Sequence, residues 1–113
     1  MTARYSLFLL AVLTAACSSN DAEPSVDCST VTATFSADAA PVIQATCAAG
    51  GSGCHGSGSS QGPGPLTNYN QIFAARNAIR SSVAVGRMPK GTPLSATQKS
   101  KIICWIESGA ANN

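Results

Sequence analysis

Cys47 and Cys54 bracket a six-residue gap, Ala48-Ala49-Gly50-Gly51-Ser52-Gly53, and His55 follows the second cysteine directly as the only histidine of the chain. Two thiols followed at once by an imidazole is the order required for covalent haem attachment. Thioether bonds fix the porphyrin to the backbone, and the adjacent imidazole supplies one axial ligand to the iron. The usual signature keeps two residues between the cysteines. Here the additional residues must loop out, and Gly50, Gly51 and Gly53 make such a bulge feasible. On this spacing, attachment through Cys54 alone, or haem held without a covalent bond, stays open beside attachment through both cysteines.

The elements that must position these residues can be read outwards from them. Asp38 is a suitable N-cap for a short helix with Pro41 near its start, running through Val42, Ile43 and Thr46 and delivering Cys47 at its end. From Ala48 to Pro65 glycine, serine and proline dominate, which forbids regular structure over most of the span. A second helix is predicted over 68–82. Asn68 and Gln71 form its capping pair, and Tyr69, Ile72, Phe73, Arg76, Ile79 and Val83 recur at helical spacing. A loop carrying Gly86, Arg87, Met88, Pro89, Lys90 and Gly91 follows. Ser95 and Gln98 then open a last helix through Ile102, Ile103, Trp105 and Ile106, which ends at Gly109. No strand signal stands out, although 31–35 could form a short extended piece. The predicted class is all-α, with three main helices and long Gly/Pro-rich loops.

The beginning of the chain reads as an export signal over 1–16. Arg4 is the only charge before Asp21, an apolar run Leu7-Phe8-Leu9-Leu10-Ala11-Val12-Leu13 follows it, and small residues lead to Cys17. The apolar run is too short for a lasting membrane span. Leu13-Thr14-Ala15-Ala16-Cys17 resembles the lipobox of bacterial lipoproteins, with Thr14 where leucine is commonest. That resemblance implies acylation of Cys17, an anchor in the cell envelope through N-terminal lipid, and, from Ser18, outer-membrane sorting in a cell that has such a membrane. Residues 17–34, polar and turn-prone, read as a tether from lipid to domain.

The chain has 113 residues, suiting one domain, with 7 basic against 5 acidic side chains and a net charge of +2. That excess is too small for nucleic-acid binding, and no aromatic residues interleave the basic ones. A domain this small usually needs disulfides, a metal or a cofactor to supplement its core. Cys28, Cys47, Cys54 and Cys104 remain beyond Cys17. They permit three disulfide pairings, or one disulfide with two haem thioethers.

The order of these features resembles the class I c-type cytochromes, in particular the small cytochrome-like modules of bacterial lipoproteins and surface proteins. Phe35, Asp38, Pro41-Val42-Ile43, Cys47, Cys54-His55-Gly56, Leu66, Tyr69, Met88-Pro89, Pro93-Leu94-Ser95, Trp105-Ile106 and Gly109-Ala110 have counterparts in sequence order, so the resemblance spans 35–111. It implies a small cytochrome c-like fold around one covalent haem c. His55 is then the proximal and Met88 the distal axial ligand of the iron, Cys54 and Cys47 form the thioethers, and Trp105 packs where helices cross beside one porphyrin edge. It also implies a disulfide between Cys28 and Cys104, because the first and last helices cross in that fold and export favours oxidation.

With imidazole and thioether both on the iron, electron transfer between partner redox proteins is the expected use, and Arg87 and Lys90 beside Met88 suit acidic partners. The competing reading is a haem-free, disulfide-stapled surface lipoprotein acting as a binding or structural module, in which Cys47 pairs with Cys54. A zinc site from Cys47, Cys54, His55 and Cys104 is disfavoured, since adjacent cysteine and histidine rarely reach one tetrahedral ion. No carboxylate pair or nucleophile–base pair accompanies His55, so the chain does not read as an enzyme.

Overall fold

The structure, a computed structural model, describes residues 24–113. The expected signal over 1–16, the acylated Cys17 and the tether as far as residue 23 lie outside the described residues. Those described fold as four helices without a strand: α1 over residues 35–48, α2 Tyr69–Ala74, α3 Arg76–Ala84 and α4 Ala96–Glu107. The class is all-α. None of these helices is long and apolar enough to cross a membrane.

α1 starts earlier than expected, and Asp38 is not its cap. Thr34 is extended, and its hydroxyl accepts the Ala37 N–H at 3.3 Å. The Asp38 carboxylate reaches back to accept the Thr34 N–H at 2.9 Å and the Thr34 hydroxyl at 3.2 Å. Cap and carboxylate stand four residues apart, one more than in a capping box. The first turn is correspondingly wide, with the Ala40 N–H donating to the carbonyl of Phe35, five residues back. A wide turn also accommodates Pro41, which sits inside the helix. There it lacks an N–H, and its ring would press on the Ala37 carbonyl in a tight turn. The free N–H groups of Phe35 and Ser36 donate to the side-chain and main-chain oxygens of Asn113, at 2.9 and 2.8 Å.

The expected helix over 68–82 is two helices meeting at Ala75, and the second runs on to Ala84. Asn68 caps the first, accepting the Gln71 N–H at 3.0 Å. Gln71 does not return the bond to Asn68; its Oε1 accepts the N–H and hydroxyl of Thr67, at 2.8 and 2.9 Å. At the break the Arg76 guanidinium donates to the Phe73 carbonyl at 2.8 Å and lies 4.0 Å from the centre of the Phe73 ring. Ala74 and Ala75 are strong helix formers, so the break is a tertiary effect. Across it, Ile72 and Tyr69 of α2 and Ile79 and Val83 of α3 join one apolar cluster with the buried face of α4.

α4 holds the core. Its N-terminus is a complete capping box, with Ser95 Oγ accepting the Gln98 N–H at 3.1 Å and Gln98 Oε1 accepting the Ser95 N–H at 3.0 Å. At the other end Gly109 has φ +112°, which a side chain would strain. Its N–H donates to Ile106 and that of Ala110 to Trp105, closing the helix. Residues 102–106 are all buried. Ile102, Ile103 and Trp105 meet Ile43 and Ile72 in the fully buried centre, where each large apolar side chain stabilises by about 1.5–3 kcal/mol. The indole N–H of Trp105 donates to the Ala111 carbonyl at 2.8 Å, and the Tyr69 hydroxyl to that of Ala110 at 2.9 Å. Both polar atoms are satisfied in the core, and the last residues are pinned over it.

Cys28 and Cys104 are joined by a disulfide. Beside it Val26 and Val31 pack on the core and Ala33 is buried, so apolar packing extends ahead of Phe35 into the stretch read as tether. Residues 31–34 make no strand.

Candidate functional site

The gap between Cys47 and His55 is closed by main-chain hydrogen bonds. α1 ends at Ala48, the chain turns through Gly50 and a single tight turn at Gly51–Gly53, and the His55 N–H donates to the Cys47 carbonyl at 3.0 Å. The inserted residues are thereby looped outwards, and Cys47 and His55 are brought side by side. Two glycines make this closure sterically feasible. A Cβ on Gly56 would stand 2.7 Å from Gly51 Cα and 2.8 Å from the Ala48 carbonyl oxygen. One on Gly50 would collide with the Cys54 sulfur and lie 2.9 Å from its Cβ. Ser59 completes the turn by donating its hydroxyl to the Cys54 carbonyl.

His55 is 7% exposed, and its Nδ1 lies 2.9 Å from the Gly64 carbonyl oxygen. A carbonyl only accepts, so Nδ1 carries the proton and donates. The neutral ring then keeps a free lone pair on Nε2, the tautomer that a metal ligand needs. The Leu66 N–H donates to the His55 carbonyl at 2.7 Å, fixing the residue from its main chain as well.

Met88 reaches the same place from the other side of the loop system. After α3 the chain reverses at Gly86, with φ +72°, and the N–H groups of Arg87 and Met88 both donate to the Ser82 carbonyl, at 2.9 and 3.2 Å. Those bonds set the half-buried Met88 beside the end of α3. The expected site residues converge here: Cys47, Cys54, His55 and Met88 all line one cavity, with Lys90 at its edge. Cys47, His55 and Met88 also line an adjoining cavity of about 300 Å³ whose remaining wall includes Leu66, Ile79 and Val83. The cleft is therefore largely apolar along this wall, and the exposed Lys90 lines its other part.

Neither thiol is in a disulfide; Cys47 is buried and Cys54 exposed. Burial pushes the Cys47 thiol up from its ordinary value, a bond with Thr46 opposes that, and the nearby Cys54 adds to it. Cys104, the fourth member of the zinc set, is bonded to Cys28 and turned into the core. Among the described residues no cluster of three or more His, Cys, Asp or Glu side chains is arranged to hold a metal ion.

The chain matches no protein-family model, no curated protein and no solved structure. Its site is therefore judged on its own donors. Sequence reasoning found the four side chains but missed what orients them. The Gly64 carbonyl that fixes the His55 tautomer is a main-chain group, and nothing in a sequence marks which carbonyl will face a ring. The Thr34–Asp38 pair that starts α1, and so sets where Cys47 falls, carries the signal that was missed, a threonine and a carboxylate ahead of an apolar run.

Proposed function

We propose that this domain is a mono-haem electron-transfer module with a small cytochrome c-like fold, anchored in the cell envelope by lipid on Cys17. One observation carries the reading. An imidazole with its Nε2 left free, a thioether and two unpaired thiols line a single cleft with an apolar inner wall.

The donor set fits haem c. His55, held by the Gly64 carbonyl, and Met88, positioned by the Ser82 carbonyl, would ligate the iron. Cys54, exposed at the mouth, and Cys47, at the end of α1, are the thioether positions. Haem, when bound, supplies a one-electron iron couple whose potential a methionine ligand raises. The side chains do the rest. Ligation by both His55 and Met88 would leave the iron no position for dioxygen or peroxide. Leu66, Ile79 and Val83 exclude water from the inner wall. Arg87 and Lys90, exposed on either side of Met88-Pro89, favour acidic redox partners.

The haem-free stapled lipoprotein shares the Cys28–Cys104 disulfide but pairs Cys47 with Cys54, and both of those thiols are free here. The test is to express the full chain in a host that makes c-type haem. Haem-linked peroxidase staining on a denaturing gel should mark the purified protein, and its reduced-minus-oxidised spectrum should show a low-spin His/Met signature. A colourless product with a Cys47–Cys54 disulfide in its peptide map would overturn the proposal.

A further inference from the structure

The cleft is a soft-donor site before it is anything else. Its soft side-chain donors are two thiols, a thioether and an imidazole nitrogen; its oxygen-bearing side chains, Thr46, Gln61 and Ser82, are all neutral, and among the described residues neither cavity has a carboxylate in its wall. Hard cations need oxygen ligands, and zinc prefers a tetrahedral set that is not assembled here. Thiolate and thioether sulfur select Cu(I). We infer that the haem-free chain binds one Cu(I) ion between the Cys47 and Cys54 sulfurs, with Met88 as a further donor. This goes beyond the electron-transfer reading and does not rest on it.

Three features of the cleft support the site. The Cys54 sulfur lies over Gly50, which has no Cβ to displace it, and the exposed thiol is open to an incoming ion. The main-chain bond from His55 to Cys47 closes the loop between the two cysteines, and both of them line the one cavity. Lys90 lines the same cavity. A Cu(I) ion between two thiolates leaves one net negative charge, which the ammonium group offsets. The step balances without redox: each thiol gives its proton to water, two copper–sulfur bonds form, the carrier's ligands leave, and copper stays in the +1 state.

The test uses the full chain carrying Cys17→Ser, which removes the thiol outside the described residues, exported by a host without haem-attachment machinery. Mild reduction leaves Cys28–Cys104 intact, which a titre of two free thiols verifies. Cu(I) is then offered as its bicinchoninate complex under argon. The chain should draw one equivalent from the chelator. Cys47→Ser and Cys54→Ser should each abolish that uptake, and Met88→Leu should weaken it by about tenfold or more, since even outer-shell partners are worth that much. Far-UV circular dichroism should match across the set. No transfer from the chelator, or unchanged uptake in the double cysteine variant, would overturn the site; unchanged affinity in Met88→Leu would remove the thioether from it. Displacement of Cu(I) by equimolar Zn(II) would refute the selectivity. Because no haem enters the titration, its result is independent of haem staining.

Discussion

Gly56→Ala tests whether the looped-out insertion is what brings the donors together. The added Cβ would meet three atoms inside van der Waals contact: Gly51 Cα at 2.7 Å, and the Ala48 carbonyl oxygen and Gly51 carbonyl carbon at 2.8 Å each. All three are main-chain atoms, so no side chain can swing aside and the loop itself must open. Overpacking of this kind costs about 1–3 kcal/mol, and a purely main-chain clash belongs at the upper end, about 2–3 kcal/mol. At about 4–8 °C per kcal/mol for a domain of this size, the melting temperature should fall by roughly 10–20 °C. Gly53→Ala is the matched control. A Cβ there meets nothing within 4 Å, at a φ outside the left-handed region, so stability should stay within about 0.5 kcal/mol of the parent. Thermal unfolding by circular dichroism reads both variants, and haem staining should be weakened in the first alone. If Gly56→Ala melts within a degree or two of Gly53→Ala and takes up haem equally, the closure of the loop is not what assembles the site.

Three further outcomes follow from the same contacts. Replacing Cys28 and Cys104 together by serine removes a cross-link between residues 76 apart in sequence; the chain should lose about 2–5 kcal/mol in denaturant titrations, and a loss below about 1 kcal/mol would show that the staple is dispensable. The Asp38 carboxyl is held below the usual carboxylate range, first by the Thr34 N–H and also by Lys101. A depressed carboxyl stabilises the fold above its unfolded pKa, near 3.9, and loses that contribution as pH falls through the lower folded value; Asp38→Asn should therefore flatten the acid limb of a stability-against-pH curve, and an unchanged limb would refute the assignment. In the haem-loaded chain Met88→Leu should retain staining on a denaturing gel while the midpoint potential drops and the His/Met spectrum disappears; an unchanged potential would remove Met88 from the iron.

The sequence carried the helical class and the ends of α4 in full, because Ser95, Gln98 and Gly109 each act through local bonds within a few residues. It carried less of α1 and of the middle helix. Asp38 looks like a cap and does serve the cap, but from four residues inside the helix, because the wide turn ahead of Pro41 moves it there. The break at Ala75 has no local signal in an alanine-rich stretch. Cys47, Cys54, His55 and Met88 could be chosen by type and order. Their convergence depends on main-chain bonds that close loops, from His55 to Cys47 and from Met88 to Ser82, and these leave no trace in residue identity.

The packed centre and the outer part of the cleft draw on different parts of the chain, and this separation has a measurable consequence. Ile43, Ile72, Ile102, Ile103 and Trp105 are wholly buried among themselves, and α4 is bound to the segment before α1 through Cys104. Leu66, Ile79 and Val83 join the inner wall of the cleft to that centre, whereas its outer part is framed by the glycine-rich turn and the Met88 loop, most of whose residues are exposed. Local opening takes the least free energy where buried apolar contacts and protected main-chain bonds are sparse. The haem-free chain should therefore stay folded, with its slowest amide exchange at Ile102, Ile103 and Trp105 and exchange faster by several orders of magnitude over 49–64. Haem or Cu(I) should then slow the second group and leave the first unchanged. Uniform protection, or loss of α4 protection when the cleft is empty, would mean that the core depends on the cleft's occupant for its fold.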